Sequence, residues 1–138
     1  MTMVPRLSVI IATYNAAATL GRCLESLKLQ SFTDWELLII DGESKDGTVD
    51  LIENHAKHIT WWRSGKDAGI YDAWNLALAH ARGEYVCFLG ADDTWASCRS
   101  LETLFAAIGN KSYDLVTSRG RLIDPTSTKS IIIGAAWD

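Results

Sequence analysis

A chain of 138 residues fits one domain and can bury about two-thirds of its unfolded surface. Its hydrophobic content of 48% and charged content of 22% are ordinary for a globular protein. A formal net charge of -4 gives no electrostatic reason to expect nucleic acid or an anionic membrane, and any phosphate ligand needs a metal ion, a helix N-terminus or a local Lys or Arg.

The chain opens with a β-branched run from Leu7 to Ala12, read as a strand buried on both faces and ending in Thr13-Tyr14-Asn15. That run is too short for a signal-peptide core or a membrane span, so the expected location is intracellular. Asn15 stands where an N-cap would, ahead of Leu20, Cys23, Leu24 and Leu27 at helical spacing. Leu37 to Ile40 reads as a second buried strand ending at Asp41. The polar turn Gly42 to Gly47 and a helix with Val49, Ile52 and Ala56 inward follow. Ile59 to Trp62 is the expected third strand. After the loop Ser64 to Gly69, the residues Ile70, Ala73, Trp74, Ala77, Leu78 and Ala81 form one helical stripe, with Gly83 as its stop. Tyr85 to Leu89 is the next strand and runs into Gly90-Ala91-Asp92-Asp93. A further helix carries Leu101, Leu104, Phe105 and Ile108 and stops near Gly109. Beyond Tyr113 the pattern weakens to three short strand candidates, Leu115 to Thr117, Arg121 to Ile123 and Ser130 to Ile133, with antiparallel pairing expected among them.

Alternating strands and helices predict an α/β fold, a mostly parallel open sheet with helices on both faces. Ligands of such sheets sit outside the carboxyl ends of the strands, where the strand order reverses. With the order 3-2-1-4, Asp92-Asp93 lies beside Tyr14, Asp41 is one strand away, and Lys66 and Asp67 come from the loop after the third strand. Asp and Asn near strand ends commonly serve only as turn residues or caps, which is the reading for Asp46. Asp92 and Asp93 differ, because adjacent carboxylates repel unless a cation or donors stabilise them. No Lys or Arg is close in sequence, which points to a divalent metal, Mg²⁺ or Mn²⁺, with positions left for substrate phosphates. Tyr14 suits packing at the sheet edge or, from its place at the switch point, stacking on a nucleobase. His55, His58 and His80 and the aromatics Trp61, Trp62 and Trp74 are read as surface or packing residues. The three cysteines, Cys23, Cys87 and Cys98, follow no metal-ligand spacing and are expected reduced.

Four segments in order resemble family 2 glycosyltransferases, whose fold is the Rossmann-like A-type glycosyltransferase fold. They are Ser8 to Asn15, Asp41 to Thr48, Asp67 to Asn75, and Ala81 to Tyr85 continuing to Asp92-Asp93. Leu24 to Leu27 with Gln30 matches the helix between the first two. The resemblance implies a nucleotide pocket lined by Ala12, Thr13 and Tyr14, with Asp41 on a pyrimidine base and Asp67 beside base and ribose. Ala91 and Asp92 would complete the donor site, Asp92 at the ribose or sugar, and Asp93 would hold the metal bridging the diphosphate. The implied reaction is sugar transfer, inverting and metal-dependent, from a nucleotide sugar, UDP-linked by expectation. The acceptor is the hydroxyl of a saccharide or lipid-linked saccharide in envelope or exopolysaccharide synthesis, with cytoplasmic work at the inner face of the membrane. Peripheral membrane association and self-association stay open, and no nucleic-acid partner is expected.

Three positions depart from the family pattern: Gly90 where an acid or Asn is frequent, Gly65 where a polar residue is, and Glu43 in a turn that is often glycine. The general base of inverting relatives lies in a segment past the acid pair, expected beyond Asp138, and Asp114 and Asp124 stand in the wrong context to replace it. The expectation is therefore a piece cut from a longer enzyme or a truncated reading frame. A non-catalytic nucleotide-sugar-binding module or inactive fragment is the alternative. A phospho-receiver needs its acid pair after the first strand, and a dinucleotide-binding domain needs a Gly-rich first turn; Thr13-Tyr14-Asn15-Ala16-Ala17 is neither.

Overall fold

The computed structural model describes residues 3–123, 126, 127 and 129–133. It divides into two compact units, Met1–Glu102 and Thr103–Asp138, with the division inside one helix. The first unit holds a four-stranded parallel sheet of β1 (Leu7–Thr13), β2 (Trp35–Asp41), β3 (Trp61–Ser64) and β4 (Tyr85–Gly90), in the order β3-β2-β1-β4. That is the anticipated order, with β1 and β4 flanking the switch point.

β1 and β2 are central, and their apolar residues are buried apart from the half-buried Ala12 and Trp35. Residues facing one side of the sheet (Ile10, Leu38 and Ile40) pack against Ala73 and Ala77 of α3 (Ile70–Leu78). Helix α1 (Leu20–Lys28) turns Leu20, Cys23, Leu24 and Leu27 inward, and α2 (Thr48–Asn54) buries Thr48 and Ile52. Helix α4 (Ser100–Ile108) buries Leu101, Phe105 and Ile108 and ends at Gly109, whose φ of 58° is the left-handed value that favours glycine. In the second unit β5 (Gly120–Ile123) and β6 (Ser130–Ile133) pair antiparallel.

Several expectations change. Asn15 is not an N-cap: α1 starts five residues later, and Asn15 adopts a φ of 47° in the loop before it. β3 lies two residues later than expected because its ladder to β2 begins at Leu38–Trp61 and ends at Asp41–Ser64. Ala56 is exposed, since α2 stops at Asn54 and Ala56 falls in a single 3-10 turn. On α3 the inward stripe is narrower than the sequence pattern, with Ile70 and Leu78 exposed. Residues 115–117 form no strand. Asp124 and Asp138 lie outside the described residues.

Gly83 does not stop α3, which closes at Ala79. It lets the chain pass against β1, where an added Cβ would sit 2.5 Å from Ser8 N and 2.8 Å from Leu7 C. Next to it, Glu36 is a buried carboxylate that the sequence reading passed over. It accepts bonds from Ser8 Oγ at 2.7 Å, Arg82 N at 2.6 Å and Arg82 Nη2 at 3.0 Å. Burial raises the Glu36 carboxyl's pKa, but these donors outweigh it and hold it below the usual range. This network ties the amino-terminal ends of β1 and β2 to the entry of β4, at the far end of the strands from the site.

Candidate functional site

The parallel register brings the strand ends to one line. Thr13 pairs with Asp41, Asp41 with Ser64, and Ala12 with Gly90. Past these pairs the chain leaves the sheet, and the ends of the first, second and fourth motifs (Tyr14-Asn15, Asp41 onward and Asp92-Asp93) follow directly, while the third begins in the loop after Ser64.

Asp41 is fully buried at the centre. Thr13 Oγ1 donates to its Oδ1 at 2.8 Å, Ser44 N and Ser64 Oγ donate to its Oδ2 at 2.9 and 2.7 Å, and Ser44 Oγ also donates to Oδ1. Burial raises this carboxyl's pKa, yet the donors from Ser44, Ser64 and Thr13 outweigh it and keep the group below its ordinary value. Two carboxylate oxygens offer about four lone-pair directions, and all four are used. One side chain thus fastens the ends of β1, β2 and β3 together.

The loops after β1 and β2 are stapled by side-chain-to-backbone bonds. Asn15 N donates to Ser44 Oγ at 2.8 Å, Ala16 N to Thr48 Oγ1 at 2.8 Å and Ala17 N to Asp46 Oδ2 at 3.0 Å, while Lys45 N donates to Asn15 Oδ1 at 3.0 Å. Asp46 also accepts from Thr48 N at 3.1 Å just ahead of α2, in keeping with its reading as a turn residue, while the N-cap position is held by Gly47. Ser44 and Thr48 belong to the Asp41 to Thr48 segment that carries the family resemblance, but their bonds to the amides of Asn15 and Ala16, some 30 residues away, could not be read from it.

Above this frame lies an open cleft of about 660 Å³, lined by Ala12, Thr13, Tyr14, Gly42, Lys66, Asp67 and the first residues of α3. Tyr14 is 71% exposed. Tyr14 and Asp67 face each other across Gly42, where an added Cβ would be 3.4 Å from Tyr14 Cδ2 and 3.1 Å from Asp67 Oδ2. Asp67 Oδ1 accepts from Gly69 N at 2.9 Å and Asp72 Oδ2 from Ala68 N at 3.1 Å, so this acidic loop is ordered by its own backbone. A second cleft of about 440 Å³ shares Lys66 and Asp67 and is lined also by Arg63, Asp72 and Asn75 over Ile40 and Leu76. The sequence reading gave Arg63 no role; its place at the upper end of β3 was hidden by the misplaced strand.

Ala91, Asp92 and Asp93 do not line either cleft; they lie on the β4 side of Ala12, past its partner Gly90. Both carboxylates converge above Gly90, where an added Cβ would stand 2.7 Å from Asp93 Oδ2 and 2.9 Å from Asp92 Oδ1. Gly90 N donates to Asp93 Oδ2 at 3.2 Å. Cys23 Sγ contacts Gly90 O at 3.5 Å from below. Burial first, then Asp93 and Asp92, pushes the Cys23 thiol up to about 12, so it stays neutral beneath the acid pair. Cys23, Cys87 and Cys98 are all free thiols. Among the described residues no three His, Cys, Asp or Glu side chains gather as a closed metal cage. Two convergent carboxylates instead suit an ion that takes one or two protein carboxylates and fills its other positions with water and phosphate oxygens, the habit of Mg²⁺ and Mn²⁺.

The family model for glycosyl transferase family 2 matches residues 8–130. The chain belongs to glycosyl transferase family 2. A PGL/p-HBAD biosynthesis glycosyltransferase of Mycobacterium tuberculosis is 38% identical over 116 residues, which cover 81% of this chain and 45% of that protein. The crystal structure of S. aureus TarS 1-349 in complex with UDP aligns with a TM-score of 0.65 at 28% identity, covering 75% of this chain and 32% of that one. The mannosyltransferase PcManGT from Pyrobaculum calidifontis, in complex with GDP-Man and Mn²⁺, aligns with a TM-score of 0.69 at 27% identity, over 80% of this chain and 34% of that one. The fold is thus the A-type glycosyltransferase fold. The family 2 chain described here spans less than half the length of each of these proteins.

Proposed function

We propose that this chain is the donor-binding part of an inverting, metal-dependent glycosyltransferase that moves a sugar from a nucleoside diphosphate, UDP first among them, to a saccharide or lipid-linked saccharide hydroxyl. The observation that carries this reading is the shared edge at Ala12: the cleft holding Tyr14 and Asp67 opens on one side of it, and the convergent Asp92 and Asp93 carboxylates stand on the other. A nucleotide lying across that edge has its base at the tyrosine and its diphosphate at the acid pair. The UDP and the GDP-Man with Mn²⁺ held by the two similar structures support a nucleoside diphosphate donor and a divalent ion, and the biosynthetic name of the mycobacterial relative supports a place in envelope or exopolysaccharide synthesis. The donor class places the work in the cytoplasm, and a lipid-linked acceptor would bring it to the inner face of the membrane. No helix among the described residues is long and apolar enough to cross one.

In this reading Tyr14 stacks on the base, a contact of about 1–3 kcal/mol. Ala12 and Thr13 form the cleft wall, and Asp67 accepts from base or ribose hydroxyls. Asp41 supports the base pocket from beneath, and a direct bond to the base would replace one of its four present donors. Ala91 and Asp92 meet the ribose or sugar, and Asp93 holds the ion. When bound, Mg²⁺ or Mn²⁺ would stabilise the charge developing on the leaving diphosphate by several kcal/mol.

Calorimetric titration of UDP with and without Mn²⁺ tests the reading. Manganese-dependent binding that is lost in Asp93→Ala is the expected result. Absence of binding by UDP, GDP and dTDP alike would overturn it.

A further inference from the structure

The Tyr14 ring is largely exposed and makes no side-chain hydrogen bond among the described residues. Its direction is therefore inherited from the backbone on either side. Before it, Thr13 is fixed by the β1–β2 ladder and by its bond to Asp41. After it, Asn15 holds a φ of 47°, a left-handed conformation that Asn tolerates but that needs outside support.

That support comes from Ser44. Its hydroxyl oxygen accepts the Asn15 N–H at 2.8 Å while its own proton goes to Asp41 Oδ1, and its backbone N–H donates to Asp41 Oδ2 at 2.9 Å. Ser44 is 9% exposed, so the donor it serves has no ready replacement in water. Thr48 and Asp46 hold the next two amides but do not touch Asp41. Among the described residues Ser44 alone links the buried carboxylate to the residue that follows the stacking ring. We infer that Ser44 is a positioning residue for nucleotide recognition, acting through Asn15 to aim the Tyr14 ring over the cleft.

The inference rests on the reading of that cleft as a nucleotide site, and its test separates the two. In ligand-free protein, amide exchange followed by NMR should show Asn15 protected, and Ser44→Ala should speed its exchange about tenfold while Ala17, held by Asp46, changes little. Ser44→Thr keeps the hydroxyl and should keep the protection. In UDP titrations with Mn²⁺, Ser44→Ala should weaken binding about fivefold or more in the native background, but by less than about twofold when Tyr14 is already Ala. A purely structural serine would cost the same in both backgrounds, and that additivity, or an Asn15 amide indifferent to Ser44→Ala, would overturn the inference. A native chain that fails to bind UDP counts instead against the nucleotide reading, and the exchange data still decide whether Ser44 holds the loop.

Discussion

Thr13 and Asp41 face each other at the last rung of the β1–β2 ladder, and the threonine hydroxyl donates to the aspartate at 2.8 Å. Asp41 is buried with four donors directed at it, so its removal strands several polar groups at once. Leaving one buried donor unmet costs about 1–3 kcal/mol. Asp41→Ala should therefore lower stability by about 3 kcal/mol or more in urea unfolding. A loss within the scatter of ordinary surface substitutions would mean that the donors find other partners.

The same carboxylate, with Glu36, sets the acid response. Both have folded pKa values below their ordinary ones, so each contributes stability that is present above the unfolded pKa, about 3.9 for Asp and 4.3 for Glu. That contribution is lost as pH falls through the folded values. Unfolding free energy should hold level near neutrality and drop on acidification below about pH 4.5. Asp41→Asn should flatten part of that drop. An unchanged acid limb in Asp41→Asn would show that other carboxylates govern it.

Two glycines give opposite expectations for the same substitution. Gly83→Ala places a methyl 2.5 Å from Ser8 N, against backbone that the sheet holds in place, and should cost about 1–3 kcal/mol or more. Gly21 lies inside α1 with nothing within 4 Å of its added Cβ. Gly21→Ala should stabilise by roughly 1 kcal/mol. Thermal midpoints of the two variants should move in opposite directions.

Tyr14 separates recognition from folding. Its ring is exposed, so Tyr14→Ala should leave the unfolding midpoint nearly unchanged while weakening UDP binding by about 1–3 kcal/mol, roughly five- to 150-fold. Tyr14→Phe keeps the aromatic face and should bind within about twofold of the native chain. Equal losses in both variants would assign the contact to the hydroxyl instead of the ring.

The parts of this fold that the sequence made legible are those where one residue type has one physical outlet. The apolar runs of β1 and β2 admit only a buried strand, and the acids that follow them must then stand at strand ends, which is how the order 3-2-1-4 and the site line could be anticipated. Trp61-Trp62 had no such constraint: an aromatic pair packs in either register, and the deciding fact, Ser64 reaching Asp41, joins residues 23 apart. Gly83 was misread for the same reason. Glycine after a helix usually means a cap, whereas here its partner Ser8 is 75 residues away. Glu36 was passed over because a charge at the edge of an apolar run reads as a strand boundary until Ser8 and Arg82 are seen to surround it.

Gly90 is where the acid pair and the sheet are coupled most tightly. It ends β4 opposite Ala12, and both carboxylates of the following Asp-Asp fold back over it because no side chain intervenes. A methyl at that position would stand 2.7 Å from Asp93 Oδ2, and the flexible carboxylates, not the ladder, would yield. Gly90→Ala should therefore fold with a stability loss of about 1 kcal/mol or less, yet spread Asp92 and Asp93 apart. Two carboxylates that no longer converge make a poorer seat for an ion that demands near-ideal octahedral geometry. The expected signature is weaker manganese-dependent UDP binding, about tenfold or more, with metal-independent binding to the tyrosine side unchanged. If manganese dependence survives Gly90→Ala intact, the convergence seen above Gly90 is not what seats the metal, and Asp93 must hold it in another rotamer.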